Sequence, residues 1–157
     1  MTNKPWVGKS VLIIDDSSGV RDELTKVFTD VGLVVKGTAA NGVIGLEMMR
    51  TLKPAIVSID IIMPEMDGIE CYRKIQQLAP ETVCVIISWL AGDPRILDNL
   101  KAVIPTHLFQ AKPVTPYTLE ARLKKIYFPE QLDKPPQRLV EKAEEEDAFD
   151  DLGVKVS

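Results

Sequence analysis

The chain has 157 residues, 45% hydrophobic and 27% charged, with a formal net charge of −4. That length holds one ordinary domain with a short appendage and excludes two of average size. Residues 129–157 carry nine Asp/Glu against four Lys/Arg, while the first 128 carry 14 against 15, so the body lacks the clustered basic residues of a nucleic-acid binder.

Val11-Leu12-Ile13-Ile14 is a short apolar run ending in Asp15-Asp16, the pattern of a buried parallel strand. Ser17 and Ser18 can cap a helix running to about Gly32, with Val20, Leu24, Val27, Phe28 and Val31 at helical spacing. Leu33 to Thr38 reads as a second strand. Asn41 caps a predicted helix to Leu52, stopped before Pro54. Ala55 to Asp60 is a third strand, and Asp67-Gly68 opens a helix to about Leu78. Thr82 to Ser88 is the most β-like run in the chain. A helix is expected between Asp93 and Val103, a weaker fifth strand over Thr106 to Ala111, and a fifth helix over Thr115 to Tyr127. Five strand–helix pairs in alternation predict an α/β sandwich with a parallel sheet and right-handed crossovers.

After Tyr127, Pro129, Pro135 and Pro136 interrupt the chain before the acidic stretch QRLVEKAEEEDAFDD. The expected division is a body over 1–128 and an acidic extension over 129–157. Three readings of that extension stay open: a solvated appendage, a helix docked on the body, or a partner-binding peptide. No apolar run reaches the roughly 18–20 residues of a membrane span, and no secretory leader is visible in MTNKPWVGKS. Cys71 and Cys84 have no metal-site spacing, so a reducing, cytoplasmic compartment is expected. Both cysteines read as core fill, His107 as a surface residue and Trp6 as cover for a sheet edge. Lys124 and Lys125 end the fifth helix, where they complement its dipole.

The chemistry lies in the polar residues that end the apolar strands. Asp15 and Asp16 end the first and Asp60 the third; Ser88 ends the fourth, and Lys112-Pro113 follows the fifth. In a parallel sheet these ends converge on one crevice. Crowded carboxylates repel, and a hard divalent cation with oxygen ligands, Mg²⁺, resolves the conflict. Lys112 then serves as a point charge on a phosphate and Ser88 as a hydrogen-bond donor. The fitting reaction is phosphoryl transfer to Asp60, with Asp15 and Asp16 holding the metal. Each element alone has a bland explanation, a helix cap for the Asp pair or a turn for Lys-Pro; the ordered set is hard to obtain from packing alone.

These segments, VLIIDDS at 11–17, DIIMPEMDG at 60–68, VIIS at 85–88 and FQAKP at 109–113, resemble the receiver domains of two-component response regulators, from residue 10 to about 127. The resemblance implies a flavodoxin-like, doubly wound five-stranded sandwich. It implies Asp60 as phosphoacceptor, and Asp15, Asp16 and the backbone carbonyl of Ile62 as protein ligands of Mg²⁺. Lys112 is the phosphoryl-contacting lysine and Pro113 the proline after a cis bond. Ser88 and Phe109 are the switch pair, and Gly68 shapes the loop by tolerating unusual backbone angles. The implied partners are a histidine kinase or phosphotransfer protein, a downstream protein on the helix 4–strand 5–helix 5 face, and for some receivers a second copy. No separate substrate is implied.

Three positions depart from the family pattern. Trp89 stands where a small residue is usual, and Ile62 and Leu90 are apolar where polar residues are common. Either this rim hinders the water that hydrolyses the acyl phosphate, or Trp89 merely packs on the following helix. A binding module that is never phosphorylated keeps a place through Trp89. A Mg²⁺-dependent phosphatase is disfavoured, because Asp60 is followed by Ile61-Ile62 rather than by a second acid and no cap insertion exists.

Overall fold

In the computed structural model, which describes residues 3–131, five parallel strands form one sheet in the order β2-β1-β3-β4-β5. The strands are β1 (Ser10–Ile14), β2 (Val34–Ala39), β3 (Ile56–Ile59), β4 (Val83–Ser88) and β5 (Phe109–Ala111). They alternate with α1 (Ser18–Asp30), α2 (Gly42–Leu52), α3 (Gly68–Leu78), α4 (Pro94–Leu100) and α5 (Pro116–Tyr127). This is the parallel α/β sandwich expected from the alternation, in the flavodoxin-like, doubly wound form that the resemblance implies.

The central strands are apolar on both faces because helices cover both. Leu12, Ile14, Val57, Ile59 and Ile86 pack with Met49, Tyr72 and Ile75 in one core layer. The alternate residues Val11, Ile13, Ile56, Val85 and Ile87 are equally buried on the other face, which α1 and α5 share. Leu24, Phe28, Leu119 and Leu123 supply that second layer.

The predicted helix starts hold. Ser17 Oγ accepts from the Val20 amide, Asn41 Oδ1 from the Ile44 amide at 2.8 Å, and Asp67 Oδ1 from the Glu70 amide at 2.9 Å. Each satisfies one amide that the first turn leaves without a helical partner.

Three expectations need correction. The fifth strand is half as long as predicted: Thr106–Leu108 is a 3-10 turn closed by the Leu108 amide on the Pro105 carbonyl at 3.1 Å. The fourth helix starts where expected, capped by Asp93, but ends early, at Leu100. Trp89–Gly92 forms its own 3-10 turn, and past Leu100 the Val103 amide reaches back only three residues, to the Leu100 carbonyl. Trp6 does not cover an edge. It is wholly buried, its indole N–H donates to the Val31 carbonyl at 3.2 Å, and its ring lies 6.0 Å from that of Tyr127. Cys71 and Cys84 are buried free thiols, and burial pushes both up to about 12, as inert core residues require. His107 sits partly buried in the turn before β5. Lys124 and Lys125 occupy the last turn of α5. No helix among the described residues is long and apolar enough to cross a membrane. The acidic stretch after Gln131, with its candidate helix, lies outside the described residues.

Candidate functional site

β1 and β3 are neighbours, with chain connections leaving them in opposite directions across the sheet. This reversal opens a crevice at the carboxyl ends of the strands. Asp15 and Asp16 follow β1 there, and Asp60 follows β3. One carboxylate oxygen from each lies within 4.8 Å of the others. Asp15 and Asp60 are buried and Asp16 is exposed. From the far side of the sheet Lys112 brings its ammonium to 2.7 Å from Asp15 Oδ2 and 3.4 Å from Asp60 Oδ2. The peptide bond between Lys112 and Pro113 is cis.

Three formal negative charges thus meet one positive charge. Burial pushes the Asp60 carboxyl above its ordinary value; the Lys112 charge pulls it down, Asp15 pushes it up again, and hydrogen bonding to Ser88 and Lys112 favours the ionised form. Desolvation prevails, and the net direction is upward. Oxygen donors, an excess of negative charge and one solvent-facing carboxylate are what a divalent cation with retained waters requires.

Ser88 is buried, and its Oγ accepts the Leu90 amide at 3.3 Å. Phe109 lies two residues into the sheet from the β5 end and is 2% exposed. The rim has the opposite character: Trp89 is 66% exposed and Ile62 64% exposed. Most of the Trp89 side chain thus faces solvent one residue past Ser88. Ile62 lies in the loop two residues after Asp60.

Gly68 is required for a different reason from the one expected. A Cβ there would collide with the Asp60 carbonyl and the Ile61 backbone, while its own amide donates to the Ile61 carbonyl at 2.7 Å. Close approach of two backbone segments, not an unusual φ, excludes a side chain. The unusual angle falls instead on Glu65, at φ 68°, in the left-handed region that disfavours side chains.

Two contacts of the site had no sequence signal. Arg21, in the first turns of α1, donates Nη1 to the Asp15 carbonyl at 2.7 Å, and the Ser17 amide donates to Asp15 Oδ1 at 2.9 Å. Together they fix the strand end that carries both acids. Arg21 reads in sequence as one more charged residue on an exposed helix face; only its distance from Asp15 in space reveals the role.

The response regulator receiver domain family matches residues 11–124. The chain belongs to that family. Chemotaxis protein CheY of Thermotoga maritima is 34% identical over 120 residues, covering 76% of this chain and 98% of that one. Among solved structures, the receiver is similar to the CheX–CheY–BeF₃–Mg²⁺ complex from Borrelia burgdorferi. The TM-score is 0.68 at 28% identity, over 77% of this chain and 90% of that one. The response regulator domain of Thermotoga maritima CheB aligns with a TM-score of 0.57 at 28% identity, over 79% and 92%. A protein-glutamate methylesterase of Natronomonas pharaonis matches over 79 residues at 38% identity, only 22% of that protein's length. The receiver thus shares with such enzymes their receiver portion.

Proposed function

We propose that this receiver is a phosphorylation-operated switch. Asp60 accepts a phosphoryl group from a phosphohistidine on a histidine kinase or phosphotransfer protein. The observation that carries the reading is the convergence of Asp15, Asp16 and Asp60 around the Lys112 ammonium.

In the proposed reaction an Asp60 carboxylate oxygen attacks phosphorus. The P–N bond breaks, its electron pair and a proton go to the departing imidazole, and an acyl phosphate forms. Asp15, Asp16, Asp60 and the Ile62 carbonyl would hold Mg²⁺, which would supply neutralisation of the charge on the transferring group. Lys112 exchanges its contact with the Asp60 carboxylate for one with a phosphoryl oxygen. Ser88 donates its hydroxyl proton to another. Desolvation of Asp60 favours the product, because the charge leaves the buried carboxylate and resides on the outer phosphoryl oxygens. Hydrolysis reverses the gain: water attacks phosphorus and Asp60 leaves as the carboxylate.

The output follows from Ser88 and Phe109. Moving the Ser88 hydroxyl toward the phosphoryl group frees space beside β5, and phosphorylation favours the Phe109 rotamer that fills it. The face made by α4, β5 and α5 changes with it, and a protein partner, or a second copy of the receiver, reads that face. No direct nucleic-acid contact and no membrane contact are part of this reading. The buried free thiols Cys71 and Cys84 suit the reducing cytoplasm. Residues 1–128 act as the receiver and 129–157 as an acidic extension to it.

The test is incubation with phosphoramidate and Mg²⁺, followed by intact mass. The wild-type chain should gain one phosphoryl mass and Asp60→Asn none. If neither wild type nor Trp89→Ala gains mass, the chain is instead a protein-binding module that is not phosphorylated.

A further inference from the structure

The opposite end of the sheet contains a second concavity. A cavity of about 810 Å³ opens at the amino ends of β1, β3 and β4, between the C-termini of α2, α3 and α5. Its volume lies in the range that holds a small organic molecule. Met49, Leu78, Ala79 and Val83 give it apolar walls. Lys9, Arg50 and Lys53 stand on it against one acid, Glu81.

The sequence places these cations deliberately close. Arg50 is in the last turn of α2, and Lys53 caps that helix in a left-handed conformation, φ 45°. Lys9 sits just before β1 with its ammonium 4.8 Å from the Tyr127 ring centre. One cation suffices to offset the negative end of a helix dipole. None of the three forms an ion pair among the described residues. The Tyr127 hydroxyl is buried and has no hydrogen-bond partner among them either. Native structures leave few buried polar groups unsatisfied, and each asks for a cause.

We propose that this cavity binds a small anionic amphiphile, one carboxylate, sulfonate or phosphate on an apolar body. A free inorganic anion would leave the apolar walls uncovered. A neutral apolar molecule would gain nothing from Lys9, Arg50 and Lys53. An amphiphile uses both, placing its head among the cations and its body against Met49 and Val83. The cavity and the Asp15–Asp60 cluster lie at opposite ends of the strands, so the two sites do not compete.

The test titrates 8-anilinonaphthalene-1-sulfonate into the full-length ¹⁵N-labelled chain. Saturable amide shifts are expected at residues 49–55 and 78–83, with fluorescence rising to the same midpoint. Arg50→Glu combined with Lys53→Asn should weaken binding about tenfold, and raised salt should weaken it in wild type. Should that double variant fail to fold, Lys9→Gln on the facing wall is the second charge variant, expected to weaken binding in the same direction. Asp60→Asn should bind as wild type does, which separates this site from the phosphorylation reading. Shifts confined to the Ile62–Trp89 rim, no saturable shift, or an affinity indifferent to the charge variants would overturn the proposal.

Discussion

Asp60 is held in a state its surroundings oppose. Its folded-state pKa lies above the ordinary 3.8 because burial outweighs the help from Lys112 and Ser88. The native fold therefore binds the Asp60 proton more tightly than the unfolded chain does, and stability falls as pH rises through the window between the two values. Above that window the whole penalty is present. Asp60→Asn should accordingly melt a few degrees above wild type at neutral pH without metal, with the gap closing as pH falls toward the ordinary carboxylate range. Thermal scans across that range check the sign, and added Mg²⁺ should raise the wild-type midpoint. A second residue under tension is Ser58, buried in the middle of β3 with its hydroxyl unpartnered among the described residues. Ser58→Ala removes that hydroxyl, and urea unfolding should show stability unchanged or raised by up to about 1 kcal/mol. At the rim, exposed Ile62 lies two residues after Asp60 and half-buried Leu90 two residues after Ser88. Replacing both with polar residues should speed loss of the phosphoryl group about tenfold, equivalent to about 1.4 kcal/mol of barrier. A decay time equal to wild type in the mass assay would remove the rim from the account.

The elements carry their own tests. Asn41→Ala takes the acceptor from the Ile44 amide and should cost about 1 kcal/mol, seen in the urea midpoint. Gly68→Ala forces a methyl against the Asp60 carbonyl, which is backbone and cannot turn aside. It should cost about 1–3 kcal/mol and also slow phosphorylation, because the displaced backbone is that of Asp60. Which elements were legible in the sequence follows from the same physics. β1 and β4 are apolar runs and β3 is broken only by Ser58, each ending in a charge or hydroxyl, and α1, α2 and α3 each begin at a residue able to cap them. β5 was misjudged in extent because the Pro105 carbonyl organises a turn before it, and α4 because the Val103 amide turns back to the Leu100 carbonyl, backbone contacts that no side-chain pattern announces. The need for Gly68 was legible, but its reason was not: only the folded loop brings the Asp60 carbonyl against it.

At the scale of the molecule, the acidic cluster was readable because parallel strands point their carboxyl ends one way, so residues far apart in sequence share a crevice. Arg21 and the exposure of Trp89 were not readable, since each depends on where a helix sits over the sheet. The basal cavity was equally silent: Lys9, ahead of β1, meets Arg50 and Lys53, at the end of α2, only at the amino ends of the strands. Trp6 ties the N-terminal segment to the end of α1 through Val31 and lies against Tyr127 at the end of α5. Trp6→Ala should therefore cost about 3–5 kcal/mol, the largest loss expected of any exchange considered, and chemical unfolding followed by circular dichroism measures it. The sequence contains two tryptophans, and the fold has separated them completely. One indole is sealed in the core and hydrogen-bonded; the other stands in water one residue past Ser88. Emission should accordingly resolve into a blue component that acrylamide cannot reach and a red component that it quenches. The first reports whether the chain is folded and the second reports what happens beside Asp60, so unlabelled protein carries separate optical readouts of stability and of the proposed switch.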